Sequence, residues 1–304
     1  MNTLILFEQL LVLAAMAAVG FLAFRLKWID QPSASKVTTL VVKIFNPMMI
    51  ISSTIGRSSG SRSRLLLQNF ILALVHFAVL TRAGFLYVRY RRFDRSSSNL
   101  YMLLTVFSNL GFMGIPLVKA LYGDDYIIYL VFYLMVFNVI AYTFGIRLAV
   151  GISDGSAHFR PDMLFNTGMA SCIISVLLFV LKIPVAAPIA SFCSYVGNMA
   201  IPLSMMIIGV TLAQTSWKDL FTPSDCRFIF FKMLLLPVIC SLLIRLFPVE
   251  EHLRTLFCLM VSMPAASLTG MLAEEYAGRG HECNRLVILT TIVSVITIPL
   301  VSLI

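Results

Sequence analysis

Two stretches of the chain place a proline, small residues and polar side chains inside otherwise apolar sequence. Asn109-Leu-Gly-Phe-Met-Gly-Ile-Pro-Leu-Val-Lys-Ala-Leu-Tyr-Gly123 is the first, and Pro264-Ala-Ala-Ser-Leu-Thr-Gly-Met-Leu-Ala-Glu-Glu-Tyr-Ala-Gly278 follows 155 residues later. Pro116 has no amide hydrogen and clashes with the preceding turn, so a helix is interrupted upstream of it. Gly111 and Gly114 allow the unwound backbone to bend. The half-helix beginning near Ile115 then points its positive end at the interruption, where free amides favour an anion. Asn109 adds a carboxamide able to donate to a carboxylate. In the second stretch Pro264, Ala265, Ser267 and Thr269 offer the same combination of break and polar atoms. If the two interruptions cross, two half-helix N-termini converge on a small polar site suited to an organic anion.

The elements that must hold such a site are membrane helices. Hydrophobic residues make up 59% of the 304 and charged residues 12%, with a mean hydropathy of +0.93. A soluble domain carries about 25% charge, so a soluble reading is nearly excluded. A bilayer span needs roughly 20 apolar residues. Ten stretches qualify, at about 3–24, 36–56, 65–88, 98–122, 125–150, 162–182, 186–214, 226–247, 253–278 and 284–304. Backbone groups in lipid must be satisfied within the segment, which favours helices, and the short alternating segments of a β-barrel are lacking.

Numbered in order, five helices precede the loop Gly151–Arg160 and five follow it, so the second half is inverted relative to the first. The offset of 155 also carries Pro47 onto Pro202. The expected fold is therefore all-α integral membrane, ten transmembrane helices in a 5+5 inverted repeat with broken, crossing helices 4 and 9. Paired interruptions of this kind point to a transporter's binding site. The net charge of +9 is membrane topology rather than a nucleic-acid footprint, because the basic residues sit in short loops. Loops after odd-numbered helices hold thirteen Lys and Arg, Arg89, Arg91 and Arg92 among them, against six in the other loops. That bias places both termini outside the cytoplasm. The first apolar run lacks a basic leader and contains Glu8, so it reads as helix 1 rather than a signal peptide.

Several charged or titratable residues fall in or near spans, where charge is costly and is paired or functional. His76, with an ordinary pKa of about 6.5, suits proton coupling or a hydrogen bond to a backbone carbonyl. Lys119 and Glu274 are equivalent under the 155 offset and either pair or sit on separate half-helices. Glu275 lies beside them. Lys232 falls mid-span, placed to face a cavity or bond a carbonyl. The six cysteines have no CxxC or metal-ligand spacing, so no metal and no cofactor is expected.

The stretch from Asn109 to Gly123 resembles the helix-4 signature of the auxin efflux carrier family, which includes bacterial carboxylate carriers and the plant PIN proteins. Asn109, Pro116, Lys119, Tyr122 and Gly123 match its pattern residue by residue. The second stretch, through Ala273-Glu-Glu-Tyr276, is similar to the family's helix-9 crossover, which in plant members often reads Ala-Lys-Glu-Tyr; Glu274 departs from that lysine. Ten helices without a long central hydrophilic loop resemble a short, bacterial-type member. The resemblance implies a scaffold domain of helices 1, 2, 6 and 7 (residues 1–60 and 161–215) that can dimerise. It implies a mobile transport domain of helices 3–5 and 8–10 (residues 61–150 and 216–304). Asn109 would contact the substrate carboxylate where helices 4 and 9 cross, and transport would be elevator-like.

The expected function is a secondary carrier of small organic anions, such as malate, malonate or auxin-like acids, in the plasma membrane. Expected partners are the anion, membrane lipid and a second copy of the chain, with no nucleic acid. Without a GxxxxGK[ST] motif ATP does not drive it directly. A sodium symporter of the bile-acid type, which shares crossed broken helices, is the nearest alternative. A membrane receptor or enzyme is weaker, since the four histidines are scattered and no HExxH occurs.

Overall fold

The computed structural model describes residues 3–55, 63–152, 167–214 and 222–303, and among these it is helical with no strand. The elements are α1 (Thr3–Arg25), α2 (Gln31–Leu40), α3 (Asn46–Ser52), α4 (Ser63–Arg91), α5 (Arg95–Val106), α6 (Ile115–Tyr122), α7 (Ile127–Ile140) and α8 (Ile146–Ile152). They continue as α9 (Thr167–Leu181), α10 (Ala187–Gly197), α11 (Ala200–Gln214), α12 (Pro223–Phe230), α13 (Leu236–Ile244), α14 (Glu251–Val261), α15 (Ser267–Ala277) and α16 (Gly280–Ser302). The short polar stretch Ser58-Ser-Gly-Ser-Arg-Ser63, which reads as a turn between helices 2 and 3, falls almost wholly outside the described residues. So do Arg57, Arg62, Arg160 and Lys218 of the charge bias. Gly151 and Ile152, expected at the start of the central loop, instead close α8.

Among the described residues, four wide, π-helical turns interrupt or extend these helices, at Val41–Phe45, Leu110–Gly114, Ala141–Gly145 and Phe231–Leu235. Three of them end two residues before a proline, namely Pro47, Pro116 and Pro237. The cause is local. A proline ring collides with the carbonyl four residues back, and widening the preceding turn moves that carbonyl aside without ending the helix. Sequence reading expects such prolines to break helices; here most only widen them.

Among the described residues, seven helices are long and apolar enough to cross a bilayer: Leu6–Arg25, Gln31–Ser52, Arg64–Arg91, Asp124–Ile152, Ala187–Gln214, Pro223–Ile244 and Gly280–Ser302. The expected spans at 98–122 and 253–278 are not continuous helices. Each is two pieces joined by extended residues, α5 with Leu110–Tyr122 and α14 with α15. Residues 162–166 of the expected span at 162–182 lie outside the described residues, and the described part is α9.

α4 shows how these helices sit in lipid. Leu66, Asn69, Leu72, Ala73, His76, Phe77 and Leu80 form a buried stripe at three- and four-residue spacing, while Leu67, Ile71, Leu74 and Val75 are exposed on the other side. Both faces are apolar, the pattern of a helix packed on protein one way and on lipid the other. Four of the described helices, α2, α5, α12 and α14, begin at a polar side chain that caps them, Asp30, Asp94, Thr222 and Glu250. Ser33 N–H donates to Asp30 at 2.9 Å and Ser97 N–H to Asp94 at 3.2 Å, and hydrogen bonding from the side chains of Ser33 and Ser97, with these backbone bonds, holds both carboxyls below their ordinary range.

Packing is closest where glycines let backbones touch. α1 runs along α11, with Gly20 against the Met206 backbone and Gly209 against the Ala17 carbonyl. α3 packs on α9 and α10. A second set of contacts joins α5 to α4 and α8, and α15 to α8 and α16.

Candidate functional site

The two proline-containing interruptions meet. After α5 the chain leaves the helix through Phe107, Ser108 and Asn109; after α14 it does so through Met263 to Ala266. Asn109 N–H donates to the Pro264 carbonyl at 2.8 Å, and Ala266 N–H donates to the Phe107 carbonyl at 2.9 Å. Ser108 and Ala265 are thereby paired as an isolated antiparallel bridge. Each break supplies the hydrogen-bond partners that the other lost by leaving its helix, which is how irregular backbone persists at membrane depth. The ends of this junction are satisfied locally. Ala265 N–H donates to Thr290 Oγ1 of α16 at 3.2 Å, and Thr269 Oγ1 donates to the Ala266 carbonyl at 2.6 Å.

Asn109 is the pivot. Its φ of −77° and ψ of 63° are those of an inverse γ-turn, closed by Leu110 N–H donating to the Ser108 carbonyl at 2.8 Å. The helical turn therefore starts at Leu110, not near Ile115. Asn109 Oδ1 caps it, accepting from Phe112 N–H at 3.2 Å. Gly111 and Gly114, expected where the backbone bends, both lie in the wide turn, and Gly114 has ordinary helical angles of φ −63° and ψ −45°. A Cβ on Gly111 would meet nothing within 4 Å, so open space adjoins the start of this half-helix. Gly114, Ile115 and Pro116 are buried behind it.

One polar atom at the junction is left over. Asn109 is 3% exposed, and its Nδ2 has no hydrogen-bond partner. A buried amide donor without an acceptor costs about 1–3 kcal/mol, so a ligand acceptor there has free energy to recover. At the second break, Ala266 precedes α15 and gives it no side-chain cap, leaving the first amides of that helix, from Ser267 onward, without a side-chain acceptor. Pro264 and Ala265 are buried, Ser267 half-buried.

Sequence reading left two junction residues, Ser108 and Thr290, out of the site, since an isolated serine or threonine in an apolar run carries no signal of backbone pairing. It noted Lys232 without placing it. Lys232 is fully buried in the wide turn between α12 and α13, and its Nζ donates to the Thr105 carbonyl at 2.9 Å and to Ser108 Oγ at 2.7 Å. Of its two expected settings, the carbonyl bond is the one formed.

The other titratable candidates stand apart. Lys119 and Glu274 occupy separate half-helices: Lys119 Nζ lies 3.1 Å from Asp124, and Glu274 accepts from Gly280 N–H at 2.9 Å. Both partners are near in sequence, so a local contact satisfies each charge. Glu275 is exposed on α15. His76 is fully buried, edge-on to Phe77, Tyr133 and Phe257 at centroid separations of 4.9, 5.4 and 6.0 Å. Neither ring nitrogen has a partner, so the expected bond to a carbonyl is not made. Replacing both polar atoms by a ring of similar shape removes that desolvation cost. We expect His76→Phe to hold or raise thermal stability, by up to about 1 kcal/mol, in thermal unfolding of the purified protein; a clear loss would mean the imidazole has a polar partner.

Comparisons with known proteins give the family. The sequence profile of the membrane transport protein family matches residues 5–158 and 161–302. The chain is also 20% identical over 302 residues to an uncharacterized transporter of Methanothermobacter thermautotrophicus, covering 98% of this chain and 97% of that one. With its apolar spanning helices and the Asn109–Gly123 signature inside the matched region, the chain belongs to the membrane transport protein family, the auxin efflux carrier group, and is a transport protein rather than an enzyme.

Proposed function

We propose that the protein is a secondary carrier of small organic anions, carboxylates such as malate, malonate or auxin-like acids, working by elevator-type alternation. The observation that carries this reading is the junction of the two breaks, with the unpartnered Nδ2 of Asn109 beside it. Donors gathered there with two half-helix N-termini suit a carboxylate.

The seven long helices, the two broken ones and α9 make the ten spans of the proposed 5+5 inverted repeat, with helices 4 and 9 crossing at Ser108 and Ala265. Supporting the repeat, Gly123 and Gly278, 155 residues apart, end α6 and α15 with positive φ of 80° and 62°. Each donates to the carbonyl four residues back, Lys119 and Glu274, at 2.9 and 3.0 Å. The packing of α1 on α11 and of α3 on α9 and α10 supports a scaffold of residues 1–60 and 161–215. The contacts of α5 with α4 and α8, and of α15 with α16, support a transport domain of 61–150 and 216–304. In this reading the scaffold pairs two copies in the plasma membrane, with both termini outside the cytoplasm.

Thermal unfolding of the purified protein against a carboxylate series, with and without sodium, tests it. A bound anion at a hundred times its Kd raises stability by about 2.7 kcal/mol. Stabilisation by malonate or malate in sodium-free buffer supports the carrier of anions; stabilisation only with sodium supports the symporter, and none by any carboxylate rejects both. Uptake in proteoliposomes with and without an imposed pH gradient then separates uniport from proton coupling. A gradient response lost in His76→Ala or Glu275→Gln would assign the coupling group.

A further inference from the structure

Lys232 is the one junction group that the anion-binding reading leaves without a role. Its surroundings have the chemistry of a cation site. Thr105 lies at the end of α5, where helix carbonyls have no partner within the helix and the dipole is negative. Ser108 is the residue paired across the break. Broken-helix carbonyls and hydroxyls of this kind are the ligands that carriers use for small monovalent cations. Here Nζ touches both oxygens, at 2.9 and 2.7 Å, and the side chain reaching them is fully buried. Among the described residues no carboxylate forms an ion pair with it.

We infer that Lys232 is a tethered cation: its amino group fills a monovalent-cation site formed by the Thr105 carbonyl and Ser108 Oγ at the broken end of α5. The lysine then does what a free ion does in an open site. It holds the Ser108 bridge in register and keeps one positive charge beside the place where an anion would sit. Lys232 is a positioning residue in this sense. The site itself stands on the geometry; only its consequence for transport rests on the anion-carrier reading.

Removing the tether should expose the site. The full-length protein, Lys232→Ala and Lys232→Met are compared by thermal unfolding in sodium, ammonium, methylammonium and tetramethylammonium chloride at fixed ionic strength, with no carboxylate present. Lys232→Ala should be stabilised in a concentration-dependent way by ammonium or methylammonium, and not by tetramethylammonium, which is too large. The parent protein and Lys232→Met, whose side chain fills the space, should not discriminate among the salts. A Lys232→Ala protein indifferent to cation size overturns the inference. So does the same discrimination in the parent, or a Lys232→Ala protein that folds in none of the salts, since a small cation offered to vacated ligands should restore them. In a separate assay, malonate uptake by Lys232→Ala should fall roughly ten- to hundredfold, as expected for lost charge-assisted bonds, and recover with methylammonium. Absence of malonate uptake in the parent protein would count against the anion reading and leave the unfolding series standing.

Discussion

Asn109→Ala should weaken carboxylate binding by roughly ten- to hundredfold, the equivalent of one charge-assisted hydrogen bond of about 1.5–3 kcal/mol. Asn109→Asp makes the test sharper. Its two ends do different things: Oδ1 caps the half-helix through Phe112 N–H, while Nδ2 has no partner. Aspartate keeps the capping oxygen and turns the unused donor into a second negative oxygen. It should therefore hold the fold better than alanine and bind an anion worse. Calorimetric titration of the purified variants with malonate measures affinity, and thermal unfolding measures the cap. Equal affinity in the parent and Asn109→Asp would remove the side chain from the site.

The largest loss of stability is expected at the contact of α1 and α11. A Cβ on Gly209 would lie 2.8 Å from the Phe21 nitrogen and closer still to the Ala17 carbonyl. Those are backbone atoms, so no rotamer change relieves the clash and the helices must part. Gly209→Ala should cost about 3 kcal/mol, the upper part of the range for overpacking, and Gly20→Ala should act likewise against Met206. Gly111→Ala, where a Cβ meets open space, should leave the unfolding temperature nearly unchanged. If Gly209→Ala and Gly111→Ala unfold alike, α1 and α11 are not held as closely as described.

Much of this molecule was legible from residue types. The apolar runs located the helices, because lipid on one side and protein on the other both demand apolar faces. Pro116 and Pro264 marked the segments that break, and Gly123 and Gly278 closed the following helices where a positive φ is needed. What escaped was pairing. Nothing in the side chains of Ser108 or Ala265 says that their backbones bond each other, since every residue but proline carries the same donor and acceptor. The equivalence of Lys119 and Glu274 suggested a possible pair, but Asp124 and the Gly280 amide lie closer along the chain and take those charges. Lys232 was visible as a misplaced charge; its partners, Thr105 and Ser108, are more than a hundred residues away.

The bridge between Ser108 and Ala265 also bears on how the protein is made. Synthesis proceeds from the N-terminus, and the Phe107 carbonyl and Asn109 amide enter the bilayer long before Pro264 and Ala266 leave the ribosome. Until then these two backbone groups lack the partners that the complete fold gives them, and an unpaired group in hydrocarbon costs several kcal/mol. The first half of the nascent chain is thus an incomplete product by itself. Its quality check comes only when the second half arrives, about 155 residues later.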